Sequence, residues 1–166
     1  MKKLLINTVF FLVSLNSIGQ SLSLDNLINI QKKEVEEVND FLINKGWKFN
    51  SSNSSEDEFM RRVGWAFGKN SYNDNAIAWL SIMYLDKTAS IVRYLTWNKN
   101  VYSSIKSKAL EYKMNVINSN VKSNSIRTDY GGKNYVLSII IEPGEHNSSK
   151  YDIAIIPREV YNKLPK

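Results

Sequence analysis

The chain of 166 residues has no cysteine, one histidine, three prolines and seven glycines. Without cysteine there is no disulfide framework, no thiolate metal site, no thiol nucleophile and no lipid-anchored N-terminal Cys. The lone histidine, His146, has no second imidazole to share a metal with,. A Ser–His–acid triad would have to recruit this same residue, and no Gly-x-Ser-x-Gly elbow is present. Gly64, Gly68, Gly131, Gly132 and Gly144 form neither a P-loop nor a dinucleotide fingerprint,. Little glycine and proline beside 43% hydrophobic residues argues against disorder and for one core-forming unit,. No apolar run reaches membrane-spanning length.

The N-terminus carries the firmest functional signal. Lys2 and Lys3 form a short positive region, and Leu4 to Leu15 is apolar apart from Asn7, Thr8 and Ser14. Ser17-Ile18-Gly19 then places small residues at the positions a secretory cleavage site requires, which predicts a signal peptide over residues 1–19 and a mature start at Gln20 or Ser21,. A dozen apolar residues would extend only ~18 Å as a helix, against a hydrocarbon core of ~30 Å. The segment therefore reads as cleavable rather than as an anchor. Loss of Lys2 and Lys3 takes the net charge from +6 to +4. An exported, cysteine-free, basic domain is the expectation, in the periplasm or outside the cell.

The mature chain reads as α+β, two consecutive helix–strand–strand–strand units over about 22–97 and 98–157. Leu24, Leu27, Ile28, Val35, Val38 and Leu42 recur at helical spacing, which predicts one amphipathic helix over Leu24 to Lys45,. Ser23 is its expected cap, Gly46 its left-handed terminator, and Trp47 is expected to fold back onto Phe41 or Leu42. Asn50 to Asp57 is polar and reads as a loop. Strands are expected at Phe59–Phe67, Ala76–Leu85 and Ile91–Trp97, with a tight connection at Asp86-Lys87-Thr88,. Asn98 caps a second helix reaching about Met114. After a polar loop at Asn118–Asn124 come a strand ending near Tyr130, a hairpin at Gly131-Gly132, and strands at Lys133–Glu142 and Tyr151–Pro157. Pro157 starts a short terminal turn through Tyr161 and Leu164. One continuous antiparallel sheet with both helices on one face is the expected architecture.

Catalytic and metal constellations are scarce. Glu142, Glu145 and His146 supply one corner of a metal or hydrolytic site and nothing completes it,. Glu34-Glu36-Glu37 lies on a solvated helix face and Glu56-Asp57-Glu58 in a polar stretch. No catalytic residue, metal or cofactor is expected. The lysines are scattered and interleaved with acids, which argues against nucleic acid. What remains is a set of tryptophans and arginines in the first meander: Arg61, Trp65, Trp79, Arg93 and Trp97. Such residues are enriched at binding hot spots. If their strand faces coincide and are open, they form a binding face; if they point at the helices, they build the core with the arginines at its rim. A protein partner is the leading expectation, as inhibitor, immunity factor or envelope accessory. A cell-wall glycan stacking on Trp65, Trp79 or Trp97 is an alternative, and a carboxylate hydrolase at Glu142 and Glu145 another.

The layout of Leu24 to Pro157 resembles that of the beta-lactamase inhibitor proteins. It is also similar to small periplasmic modules with a helix on a three-stranded meander, such as the BamE-like and PepSY-like groups. The likeness is one of layout without a shared motif. It implies an exported binding module and no particular site residue.

Overall fold

The computed structural model describes residues 21–54, 60–72, 75–85, 89–144 and 148–164. The expected signal peptide, the Glu56-Asp57-Glu58 cluster, the Asp86-Lys87-Thr88 connection, Glu145 and His146 lie outside the described residues.

The first amphipathic segment begins as expected. The Ser23 side chain accepts the Asn26 amide at 3.2 Å and Asn26 returns the bond to the Ser23 amide at 3.2 Å,. The segment does not run on as one helix. It forms α1 (Leu24–Ile30) and α2 (Val35–Ile43). The apolar stripe lapses where Gln31 and Lys32 occupy the turn between Ile28 and Val35, and the sheet takes over that gap. Gln31 donates its Nε2 to the Ser90 carbonyl at 2.9 Å, and the Ser90 hydroxyl donates to the Gln31 carbonyl at 3.0 Å. With that carbonyl diverted, the chain restarts at Glu34, whose extended amide is accepted by the Glu37 carboxylate at 3.2 Å. Gly46 takes φ +81 beyond the end of α2, the conformation that glycine adopts without a Cβ penalty,. Trp47 turns inward to pack against the Phe67 and Tyr94 rings, with centroids at 5.6 and 6.1 Å, in the same buried cluster as Leu42.

Eight antiparallel strands follow: β1 (Trp47–Ser54), β2 (Met60–Phe67), β3 (Ala78–Leu85), β4 (Ala89–Thr96), β5 (Asn115–Lys122), β6 (Ser125–Gly131), β7 (Tyr135–Pro143) and β8 (Ser149–Pro157). The helix α3 (Lys99–Glu111) lies between β4 and β5 and is capped by Asn98, whose Oδ1 accepts the Asn100 and Val101 amides. A single turn, α4 (Arg158–Tyr161), ends the chain after Pro157. The strands form one sheet in the order β1-β2-β3-β4-β8-β7-β6-β5. The continuous antiparallel sheet is thus present.

Its strand count differs from the expected three per unit, because both polar stretches read as loops are strands. Asn50–Ser54 belongs to β1 and Asn118–Lys122 to β5, one at each edge of the sheet. An edge strand has one neighbour and, away from the core, no buried side. The apolar alternation that marks an inner strand is therefore not required of it. The Gly131-Gly132 hairpin is shifted: Gly131 still belongs to β6, and the Gly132 amide bonds to the Tyr135 carbonyl at 2.9 Å.

Register separates the two faces. Trp65, Leu80, Tyr94, Ile153 and Ile139 lie side by side across five strands, as do Val63, Ile82, Val92, Ile155 and Leu137. Helices α1 to α3 pack on this face. Trp65 donates its Nε1 to Asn39 of α2 at 3.1 Å, and Tyr102 of α3 stacks on Tyr151 at 4.6 Å between centroids. With Leu24, Leu27, Ile30, Val38, Leu42, Ile105 and Ala109 these residues make one buried core. The short α4 lies on the opposite face, where Tyr161 reaches Asp129.

Candidate functional site

The face away from α1 to α3 carries the side chains of the intervening positions. Across the centre run Gly64, Ser81, Arg93, Ala154, Ser138 and Asp129; beside them run Ala66, Trp79, Leu95, Asp152, Ile140 and Arg127. Most of these inner positions are half-buried, and among the described helices only the short α4 lies against this face, at its β5–β6 end. Eight strands of about eight residues, spaced ~4.8 Å apart with ~3.4 Å per residue, give roughly 1,000 Å²,.

Charge is sorted between the faces. Register puts Lys48, Arg62, Arg93, Lys122, Arg127 and Lys150 on the open face with three carboxylates, Asp129, Glu142 and Asp152. Each carboxylate is matched by one of those cations. Arg93 grips Asp152 with its Nε at 2.7 and 2.9 Å and with its Nη2 on Oδ2. Hydrogen bonding to Asp152 raises the Arg93 pKa against the opposing effect of burial. Lys150 pairs with Glu142, and Arg127 donates its Nε to Asp129 at 2.9 Å. Among the described residues Lys48, Arg62 and Lys122 are left over, a surplus of positive charge on this face. Arg62 extends to the Ser81 hydroxyl at 3.4 Å beside Trp79, and Lys69 lies over the Trp79 ring at 5.7 Å from its centroid.

The five residues singled out by sequence divide between the two faces. Trp65 is 0% exposed and forms part of the core beneath α2. Arg61 is on that same helix-side face, exposed near the outer end of β2. Trp79 and Arg93 are on the open face, and Trp97, 37% exposed, follows the end of β4. The shared face envisaged for Arg61, Trp65 and the other three is not formed, because β2 is paired one residue out of phase with that alignment. Arg62 is the arginine that sits with Trp79 and Arg93. Sequence reading also passed over Asp152, Arg127, Asp129 and Arg158. Each lies on a strand or turn that periodicity located, but strand pairing alone reveals who their neighbours are.

The far end of this face is the most highly organised. Asp129 is 0% exposed and accepts hydrogen bonds from Asn118 Nδ2 at 3.0 Å, Arg127 Nε at 2.9 Å and the Tyr161 hydroxyl at 2.8 Å. Burial alone would raise its pKa; bonds from Ser138, Asn118, Arg127 and Tyr161 outweigh that and lower it,. The Tyr161 phenol is pushed up, first by burial and then by its bond to the Asp129 carboxylate. Four donors fill the acceptor capacity of one carboxylate. Asp129 thus positions its neighbours and has no lone pair to spare for proton transfer. Glu142 is held by Lys150. Among the described residues no three His, Cys, Asp or Glu side chains gather as a metal ion would require. No helix among them is long and apolar enough to cross a membrane.

Comparison with protein-family profiles, with curated protein sequences and with solved structures gives no match.

Proposed function

We propose that this chain is an exported, non-enzymatic binding protein, and that its open sheet face docks an acidic surface of another protein. The observation that carries the reading is the unbalanced charge of that face: among the described residues its three carboxylates are each paired, while Lys48, Arg62 and Lys122 have no carboxylate partner. Trp79, Leu95 and Ile140 supply apolar area between the charges, and an area of roughly 1,000 Å² is of the size one partner contributes to a standard interface. Arginine and tryptophan anchor interfaces because they offer contact area and directed hydrogen bonds with few rotamers to freeze. Export rests on the lysine pair, apolar stretch and small-residue site of residues 1–19,. The mirrored order of the two meanders is compatible with two similar halves.

A glycan platform retains only Trp79 and Trp97 of the three tryptophans first considered, since Trp65 is interior.

The test is affinity capture from envelope and culture fractions of the native host, with wild type and the doubly substituted R62E/W79A as paired baits. A protein with an acidic surface retained by wild type, and reduced about tenfold or more with the variant, is the expected result. Intact mass of the endogenous protein should place its start at Gln20 or Ser21. Identical captures by both baits would overturn the docking face, and retention of Met1 would overturn export.

A further inference from the structure

Between β5 and β6 on one side and α4 on the other lies an open groove of about 760 Å³, lined by Arg127, Arg158, Asn118, Asn120, Asn162 and Tyr161, with Ile117 and Leu164 beside them. That is within the size range of small-molecule sites. The cations are held from behind. Asp129, at the base, takes only the Nε of Arg127 and leaves its Nη groups. Arg158 spends Nη1 on the Gly132 carbonyl at 3.3 Å. Arg127, Arg158 and Tyr161 all line this one groove. Two arginines against one buried carboxylate leave a single positive charge, which a monoanion balances.

Gly131 shows how closely the wall is fitted. A Cβ there would stand 2.5 Å from Arg158 Nη1 and 2.7 Å from Ile117 Cγ2. With a side chain there, the Arg158 head or the Ile117 side chain would have to shift from its present position.

We infer that this groove binds a carboxylate, clamped by Arg127 and Arg158, on a ligand that also carries amide groups for the asparagines. Guanidinium groups match the planar carboxylate with paired hydrogen bonds. Asn120 and Asn162 offer both a donor and an acceptor, the complement of a peptide bond. A free peptide C-terminus combines these features, and a simple organic acid has only the first. This site lies at the β5–β6 end of the same face, away from the Arg62 and Trp79 positions that the docking test substitutes, and either reading can fail without the other.

The probes are N-acetyl-dialanine, its C-terminal amide, and acetate, titrated by calorimetry or by amide chemical shifts against the mature protein. The acid is expected to bind, its amide about tenfold more weakly or worse, since a charge-assisted bidentate contact is lost. If acetate matches the acid, the carboxylate alone is recognised and the peptide portion of the inference is withdrawn. Arg158→Ala should weaken the acid by about tenfold while leaving the melting curve near wild type. Gly131→Ala, which removes no charge, should weaken it too, because the Arg158 head or the Ile117 side chain would have to shift. Equal binding of acid and amide, no binding of the acid up to about 10 mM, or an unchanged affinity in Arg158→Ala would overturn the inference.

Discussion

Asp129 is the residue on which a pH effect should be concentrated. Its folded pKa is lowered from an unfolded value of about 3.9. The stability it contributes is therefore complete above that unfolded value and is lost as pH falls through the folded one. Asp129→Asn removes this titration and turns an acceptor into a donor facing Asn118, Arg127 and Tyr161. At neutral pH the variant should be less stable by about 2–3 kcal/mol, and its melting temperature should fall less than that of wild type below about pH 4. Thermal melts by circular dichroism across that range check both statements; parallel profiles for the two proteins would count against the assignment. Nothing in the sequence marks Asp129 out from other acids. It follows Arg127 at a two-residue step, which on a strand means the same face, but Asn118, Ser138 and Tyr161 reach it from three separate elements.

At the scale of elements, what periodicity can locate is what the core touches. The inner strands β2, β3, β4, β7 and β8, the capped start of α3 at Asn98 and the turn after Pro157 all appear where their apolar spacing or capping residues put them. The edge strands escaped because Asn and Ser along β1 and β5 have no buried face to advertise, and β5 is exposed along its whole length. The division of α1 from α2 escaped for a different reason: no glycine or proline breaks the segment, and the break is held by Gln31 and Ser90, 59 residues apart. Pairing phase was equally invisible, which is why Arg61 was grouped with Trp79 in place of Arg62. The Gln31–Ser90 exchange is open to test. Ser90→Ala leaves the Gln31 carbonyl without its sheet donor and should cost about 1–2 kcal/mol in urea unfolding. An effect below a few tenths of that would mean that the interruption persists without Ser90.

Over the whole molecule, protection should follow the strand order. β3, β4, β8 and β7 have neighbours on both sides and carry the densest part of the core; β1 and β5 have one neighbour each. Native-state hydrogen exchange should therefore find the slowest amides in the four central strands and much faster exchange in β5, whose side chains contribute little burial,. Slow exchange along β5 would instead point to something covering that edge. The same order bears on how a newly made chain reaches this state. β1 to β4 and β5 to β8 each join neighbour to neighbour through short connections, but β4 meets β8 only after the entire second meander has been synthesised. Until that encounter, each half presents an additional raw strand edge, and the edge belonging to β4, with Val92, Tyr94 and Leu95, is far more apolar than the polar rims of the finished sheet. Nascent chains are thus most prone to pair wrongly with one another in the interval between completing the first meander and receiving the last strand.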